Sequence, residues 1–211
     1  MLSIITNFGC DEGCSYCVWN QHFLRDTVSG VETTDWQKLF RIINQHSPNR
    51  VSISGGGDPL FALENNIQWW QQLFLNLPYV LLDLHTAKIA PPNFARKFDK
   101  YVFHAKDLRT YYQQAGALAR LPVSKKRVVI VADPEYAERD YIKVAQDAKN
   151  RGFSFAIRQL VESKRPINIK VDFLRNSPDL FYIEHGDYNL YFMPDNHVYT
   201  KFLEENSRVE I

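Results

Sequence analysis

All three cysteines of the chain lie in one short stretch, Gly9-Cys10-Asp11-Glu12-Gly13-Cys14-Ser15-Tyr16-Cys17. Thiolates are soft ligands, and at C-x3-C-x2-C spacing three of them can converge from a single loop on a soft metal centre. On a four-iron cluster, three protein ligands leave one iron open to a substrate or cofactor. The rival is a structural zinc site with His22 as the fourth ligand. Zinc knuckles usually pair two short spacings, and no second cysteine pair exists here. A lone cysteine nucleophile would not need three thiols at this spacing.

A second stretch, Ser54-Gly55-Gly56-Gly57-Asp58-Pro59-Leu60, follows one helical unit later at the end of a predicted strand. Glycines there allow a ligand to approach the backbone with no Cβ in the way. Read from the residues alone, Asp58 could cap the next helix.

These two segments together resemble the radical S-adenosylmethionine (SAM) superfamily. The cysteines and Tyr16 match its CxxxCxΦC loop; the glycine run matches its GGE motif, with Asp58 one methylene shorter than the usual Glu. The resemblance implies a single [4Fe–4S] cluster on Cys10, Cys14 and Cys17, whose open iron chelates SAM. It also implies reductive cleavage of SAM to methionine and a 5′-deoxyadenosyl radical that abstracts hydrogen from a substrate. Gly55, Gly56, Gly57 and Asp58 would meet the methionine moiety and Tyr16 the adenine, or Tyr16 packs the loop. Arg158 is a candidate for the SAM carboxylate or ribose, with a structural salt bridge as the other reading. Thr86 is a further cofactor candidate. His85, His104, Lys106 and Asp133 also end predicted strands, where caps and satisfied rim residues are common.

The elements that must position these residues alternate along the chain. Residues 2–7 read as a strand entering the cysteine loop. From Thr34, Trp36, Leu39, Phe40 and Ile43 recur at helical spacing, with Thr34 and Gln37 as a capping box, and Ser47-Pro48-Asn49 stops the run. Val51–Ser54 is a strand; Leu63, Ile67, Trp70 and Phe74 mark a helix beyond Pro59. Tyr79–Thr86 is a strand of buried type. A weak crossover at Pro91–Asp99 leads to a strand at Tyr101–Ala105. Asp107 caps a helix with Leu108, Tyr111, Tyr112, Ala115 and Leu118 on one face. Arg127–Ala132 is a strand, Asp133-Pro134 opens a helix carrying Ala137, Tyr141, Val144, Ala145 and Ala148, and Gly152 ends it. Phe153–Val161 is the sixth strand.

Six strands with five crossovers predict an α/β fold with parallel strands, and periodicity leaves barrel and open sheet equally open. The resemblance implies a partial (β/α)6 TIM-like barrel. In both architectures ligands gather at the carboxyl ends of the strands. Residues 1–161 are read as the core and 162–211 as a C-terminal extension packing on it, not an independent domain. Within the extension, Tyr182–Glu184 and Leu190–Phe192 suggest a hairpin about His185-Gly186-Asp187, and Pro194-Asp195-Asn196 a second turn before Val198-Tyr199: a small antiparallel β addition.

Composition excludes other classes. With 211 residues, 45% of them hydrophobic, the chain can bury a sizeable core. Twenty-five Lys and Arg against 24 Asp and Glu give no electrostatic case for nucleic acid or an anionic membrane. No apolar run approaches the ~20 residues of a spanning helix, and the N-terminus lacks a charged leader region. Clustered, unpaired cysteines suit a reducing compartment, so the expected location is cytoplasmic.

With all thiols committed, no auxiliary cysteine-bound cluster or cysteine hydrogen donor is available. That argues against methylthiotransferases and two-cysteine RNA methylases. Tyr191–Thr200 resembles the strand before cysteine-rich extensions of the superfamily, without their cysteines. The partners implied are a small-molecule or protein substrate and an external one-electron reductant such as flavodoxin or ferredoxin. Alternatives stay open. Ser54–Leu60 and Trp19-Asn20-Gln21 look like the activases of anaerobic ribonucleotide reductases, glycyl-radical enzymes, with Asn20 one position late. A 7-carboxy-7-deazaguanine synthase would usually carry an acidic residue and Thr where Val18-Trp19 stands. A non-catalytic Fe–S or zinc binding module predicts no SAM affinity.

Overall fold

Strand β1 (Leu2–Thr6) is buried at all five positions, the mark of a strand covered on both faces. The computed structural model describes residues 1–133, 136–158, 160–162, 165–167, 180–182, 190–202 and 204–210. They divide between two units. The first comprises Met1–Gly13, Cys17–Thr86 and Gly186–Ile211; the second comprises Cys14–Tyr16 and Ala87–His185.

In the first unit β1 runs parallel to β2 (Arg50–Gly55), in register from Leu2 opposite Val51 to Thr6 opposite Gly55. β2 in turn pairs parallel with β3 (Leu81–Thr86). The cysteine loop and the glycine run therefore leave the sheet at the same, carboxyl end. At the other end Arg50 forms an ion pair with buried Asp83.

Helix α1 (Trp36–His46) buries Leu39, Ile42 and Ile43. Its N-cap is Asp35, whose carboxylate accepts the Lys38 N–H at 2.9 Å, and not the predicted Thr34. Thr34 is occupied elsewhere: its hydroxyl donates to the Gly30 carbonyl at 2.8 Å and accepts the Trp69 indole N–H at 3.0 Å. Ser47 ends the helix in the left-handed region, at φ 39°. Helix α2 (Ile67–Asn76) begins later than the sequence pattern suggests and buries Trp69, Trp70 and Leu73, leaving Ile67 exposed. The Asn66 amide, bonded to the carbonyls of Phe61 and Ala62, holds the preceding segment in turns. β3 starts two residues after the predicted Tyr79, which is 97% exposed.

The second unit repeats the strand–helix rhythm. After a short α3 (Pro92–Ala95), β4 (Lys100–Ala105) pairs parallel with β5 (Lys125–Val131), and β5 with β6 (Ser154–Arg158). Between them α4 (Leu108–Arg120) is capped by Asp107, whose carboxylate accepts the Thr110 N–H at 2.6 Å. Leu108, Tyr111, Ala115 and Leu118 are buried as predicted, while Tyr112 is exposed. α5 (Glu138–Asn150) starts at Glu138 with Ala137 as its N-cap, not at the Asp133-Pro134 pair. The Asp133 N–H is instead held by the Tyr141 hydroxyl at 2.7 Å, and Pro134 lies outside the described residues. Gly152, at φ 77°, lets the chain leave α5.

The predicted sixth strand is cut short. β6 ends at Arg158, and β7 (Leu160–Glu162) pairs antiparallel with β8 (Arg165–Ile167) in a sheet of their own. Most of the predicted hairpin across 182–190 lies outside the described residues. β9 (Leu180–Tyr182) pairs parallel with β6, whereas β10 (Leu190–Phe192) returns to the first unit and pairs parallel with β1. Its intended turn, 185–187, lies outside the described residues. Beyond β10 the antiparallel addition is real: β11 (Val198–Tyr199) folds back on it, and β12 (Arg208–Val209) follows on β11. Asn196 makes the turn at φ 61°.

Candidate functional site

The residues singled out by motif fall into one group in each unit. In the first unit, the glycine run folds directly onto the residue that precedes Cys10. The Asp58 N–H donates to the Gly9 carbonyl at 2.9 Å, and a Cβ on Gly57 would stand 2.1 Å from that same oxygen. A Cβ on Gly56 would enter the Trp19 ring, 2.1 Å from its nearest atom. Gly55 is closed off by the Gly57 carbonyl. Protein packing alone thus demands glycine here, because any side chain would push the two motifs apart.

Asp58 is buried, and its carboxylate takes the Leu60 N–H at 2.8 Å, the turn-capping arrangement. The Thr86 hydroxyl donates to it as well, 2.8 and 2.9 Å from its two oxygens. The structure thereby joins two residues selected separately in the sequence, one after β2 and one at the end of β3.

Cys10, Cys14 and Cys17 form no disulfide, Cys10 being exposed and the other two half-buried. The Glu12 N–H donates to the Cys10 sulfur at 3.4 Å. Burial pushes the Cys10 thiol up, and the negative charges of Asp58, Glu12 and Cys17 add to that, against the Glu12 N–H. An ion or cluster of positive charge would reverse this balance, since a coordinating thiol is deprotonated outright.

Among the described residues, no three His, Cys, Asp or Glu side chains gather closely enough to hold a single metal ion. In a four-iron cluster each thiolate binds a different iron, so the ligands stand apart by a cluster edge. His22 is unsuited to complete a zinc site. Its Nδ1 accepts the Leu24 N–H at 3.1 Å, so Nε2 carries the proton and donates to the Phe202 carbonyl at 2.9 Å. Burial also lowers its basicity. The ring is stacked between Trp19 and Phe23, at centroid distances of 4.4 and 4.5 Å. Three soft thiols, with no nitrogen ligand gathered beside them among the described residues, fit an iron–sulfur cluster better than zinc.

Sequence reasoning missed Trp19, His22 in this role, and Phe202. Trp19 is buried among Ile5, Leu24, Met193 and Tyr199, with Cys17, Tyr191 and Phe202 against the cluster. A bulky aromatic residue two positions after the third cysteine was the available signal.

In the second unit, the Tyr16 hydroxyl donates to the Lys106 carbonyl at 2.9 Å, which holds the Cys14–Tyr16 segment just past β4. Strand register puts His104 opposite Val129, and Val129 opposite Ala156. Val102, Val129 and Ala156 form a buried apolar cluster, and alternation places His104 and Arg158 on that same face. Burial holds His104 well below the usual histidine range, and the positive charge of Arg158 adds to this. His85, in the first unit, is buried near the end of β3.

No family model matches the chain. A stretch of 79 residues, 37% of the chain, is 34% identical to L-lysine 2,3-aminomutase of Haemophilus influenzae and spans 23% of that protein. Among solved structures, anSMEcpe with bound AdoMet matches 99% of this chain and 77% of its own, with TM-score 0.67 at 13% identity. Streptococcus suis SuiB bound to the precursor peptide SuiA gives TM-score 0.66 at 12% identity, covering 93% of this chain and 58% of SuiB. SuiB bound to S-adenosylmethionine gives 0.58 at 14%, covering 82% and 42%. The chain thus spans about half the length of SuiB and about a quarter of the aminomutase.

SuiB and anSMEcpe are radical SAM enzymes. The chain shares their mixed α/β fold, a mainly parallel sheet with antiparallel C-terminal strands, consistent with a partial TIM-like barrel. Its likeness to the radical SAM superfamily holds in fold as well as in motif, with the subfamily left open.

Proposed function

We propose that this chain is a single-cluster radical SAM enzyme. The observation that carries the reading is the junction of the two motifs, Asp58 N–H on the Gly9 carbonyl and Gly57 against the same oxygen, beside Cys10. Cys10, Cys14 and Cys17 would hold a [4Fe–4S] cluster, and the Gly55–Asp58 segment would meet the methionine part of SAM. When bound, such a cluster would supply the electron for reductive cleavage of SAM to methionine and a 5′-deoxyadenosyl radical.

The chain's own contribution is binding and orientation. Thr86 and the Leu60 N–H fix the Asp58 carboxylate so that it can receive the SAM ammonium through whichever lone pairs remain. Tyr16 is held by Lys106, close in sequence to two cysteines, and is assigned to the adenine side. Arg158, on the same strand face as His104, would receive an anionic group of SAM or substrate. Ile5, Trp19 and Tyr199, buried together with Cys17 packed against them, would limit water on the Cys17 side.

The substrate is proposed to be a peptide or protein segment. SuiB, whose fold this chain shares, is bound to a precursor peptide in one of the structures it matches. The reductant would be a one-electron carrier such as flavodoxin or ferredoxin, and the location cytoplasmic; among the described residues no helix is long and apolar enough to cross a membrane.

Anaerobic reconstitution with iron and sulfide tests the ligand set. One cluster per chain, seen by its visible absorption and lost on Cys10→Ala, Cys14→Ala or Cys17→Ala, is the expected result. Tight zinc binding with no cluster would overturn the reading.

A further inference from the structure

Asn7, the residue after β1, is only 5% exposed, and both its backbone and its side chain hold the segment Arg25–Ser29. The side-chain amide donates to the Arg25 and Thr27 carbonyls, each at 2.9 Å. The Asn7 N–H donates to the buried Ser29 hydroxyl at 2.9 Å, and the Ser29 N–H returns to the Asn7 carbonyl at 2.9 Å. Only a donor with two hydrogens can meet two carbonyls at once. That fixes the orientation of the amide and sets asparagine apart from the isosteric aspartate.

Cys10 lies three residues beyond Asn7, and the Gly9 carbonyl between them takes the Asp58 N–H of the glycine run at 2.9 Å. On the other limb, turns run back from the latched carbonyls toward Cys17. The Thr27 N–H donates to the Leu24 carbonyl at 3.0 Å, Arg25 to His22 at 3.0 Å and His22 to Trp19 at 2.9 Å. Trp19, two residues after Cys17, is buried and closes against Gly56. Residues 7–13 and 17–29 belong to one unit. Within it, Asn7 ties the stretch that leads into Cys10 to the stretch that leaves Cys17.

We propose that Asn7 is a positioning residue of the cluster site: by latching Arg25–Ser29 to the end of β1, it orders the limbs that carry Cys10 and Cys17 before a cluster is bound. The inference rests on the cluster-binding reading above. Thiolates that bind different irons must stand at fixed separations, and a loop already closed has less conformational entropy to lose in reaching them. Opening the latch therefore weakens the hold on the cluster, beyond any general loss of stability.

The test is release of iron from the anaerobically reconstituted, oxidised, SAM-free protein to the chelator bathophenanthroline disulfonate, followed by absorbance. Asn7→Asp keeps the shape of the side chain and turns its donors into an acceptor facing two carbonyls. It should release iron several-fold faster than wild type. Ser29→Ala removes the acceptor of the Asn7 N–H and should act in the same direction. Ser29→Thr, which keeps that oxygen, should return to the wild-type rate. Val144→Ala, at a fully buried position of α5 remote in sequence from both motifs, controls for lost stability, with urea midpoints placing all variants on one scale. Iron release from Asn7→Asp no faster than from a control of comparable midpoint would overturn the proposal.

Should Asn7→Asp not fold, the Ser29 variants decide: equal release from Ser29→Ala and wild type contradicts the latch. A wild type that takes up no cluster would sink the underlying functional reading along with this one; a loaded wild type whose latch variants hold iron like the control sinks only this one.

Discussion

The Thr86 hydroxyl donates to the Asp58 carboxylate at 2.8 Å, both residues buried, and so ties the end of β3 to the segment that follows β2. The bond crosses 28 positions of sequence and fixes the orientation of the carboxylate. A hydrogen bond to a buried charge contributes about 1.5–3 kcal/mol. Thr86→Val should lower unfolding stability by about that much and weaken SAM binding to the loaded protein. Thr86→Ser should recover most of both, as read by denaturant unfolding and calorimetry.

Glycine substitutions should separate sharply by position. Gly57→Ala sets a Cβ 2.1 Å from the Gly9 carbonyl, where only backbone movement can relieve it. Overpacking of that kind costs about 1–3 kcal/mol, and cluster loading should fall with it. Gly116→Ala, inside α4, meets only the far end of Arg120 at 3.7 Å. It should raise stability by roughly 0.5–1 kcal/mol. Thermal melts of the two variants measure both effects.

In α5, Asp147 accepts from Arg151 at 2.8 Å and from the Tyr111 hydroxyl at 2.6 Å. The Arg151 bond first, and then the Tyr111 bond, hold its carboxyl below the ordinary range, despite some burial. A depressed carboxyl stabilises the fold above its unfolded value and loses that contribution as pH falls through the folded one. Stability should therefore decline below about pH 4, and Asp147→Asn should flatten that decline. Urea midpoints between pH 5 and pH 2 provide the comparison.

Much of this arrangement is legible in the residues themselves. Val51–Ser54 and Arg127–Ala132 carry strand chemistry with little ambiguity, and Asp107 caps α4 as its position before an amphipathic run suggests. The cysteine loop and glycine run were visible as motifs, but their contact through Gly9 was not, since parallel register is a tertiary property. Thr34 failed as a cap because Trp69, thirty-five residues away, and Gly30 claim its hydroxyl. The parallel pairings of β9 with β6 and of β10 with β1 were not legible either, because no local turn pattern reports a parallel partner far away in sequence. Trp19 was hidden for the same reason: its neighbours Met193, Tyr199 and Phe202 come from the far end of the chain.

The most direct measurement is mass-spectrometric detection of 5′-deoxyadenosine from the anaerobically reconstituted, reduced protein supplied with SAM, with Cys17→Ala in parallel. The expected result is 5′-deoxyadenosine and methionine from the wild type and neither from the variant. A wild type that carries a reduced cluster, binds SAM and leaves it intact in the presence of peptide substrates would contradict the assignment.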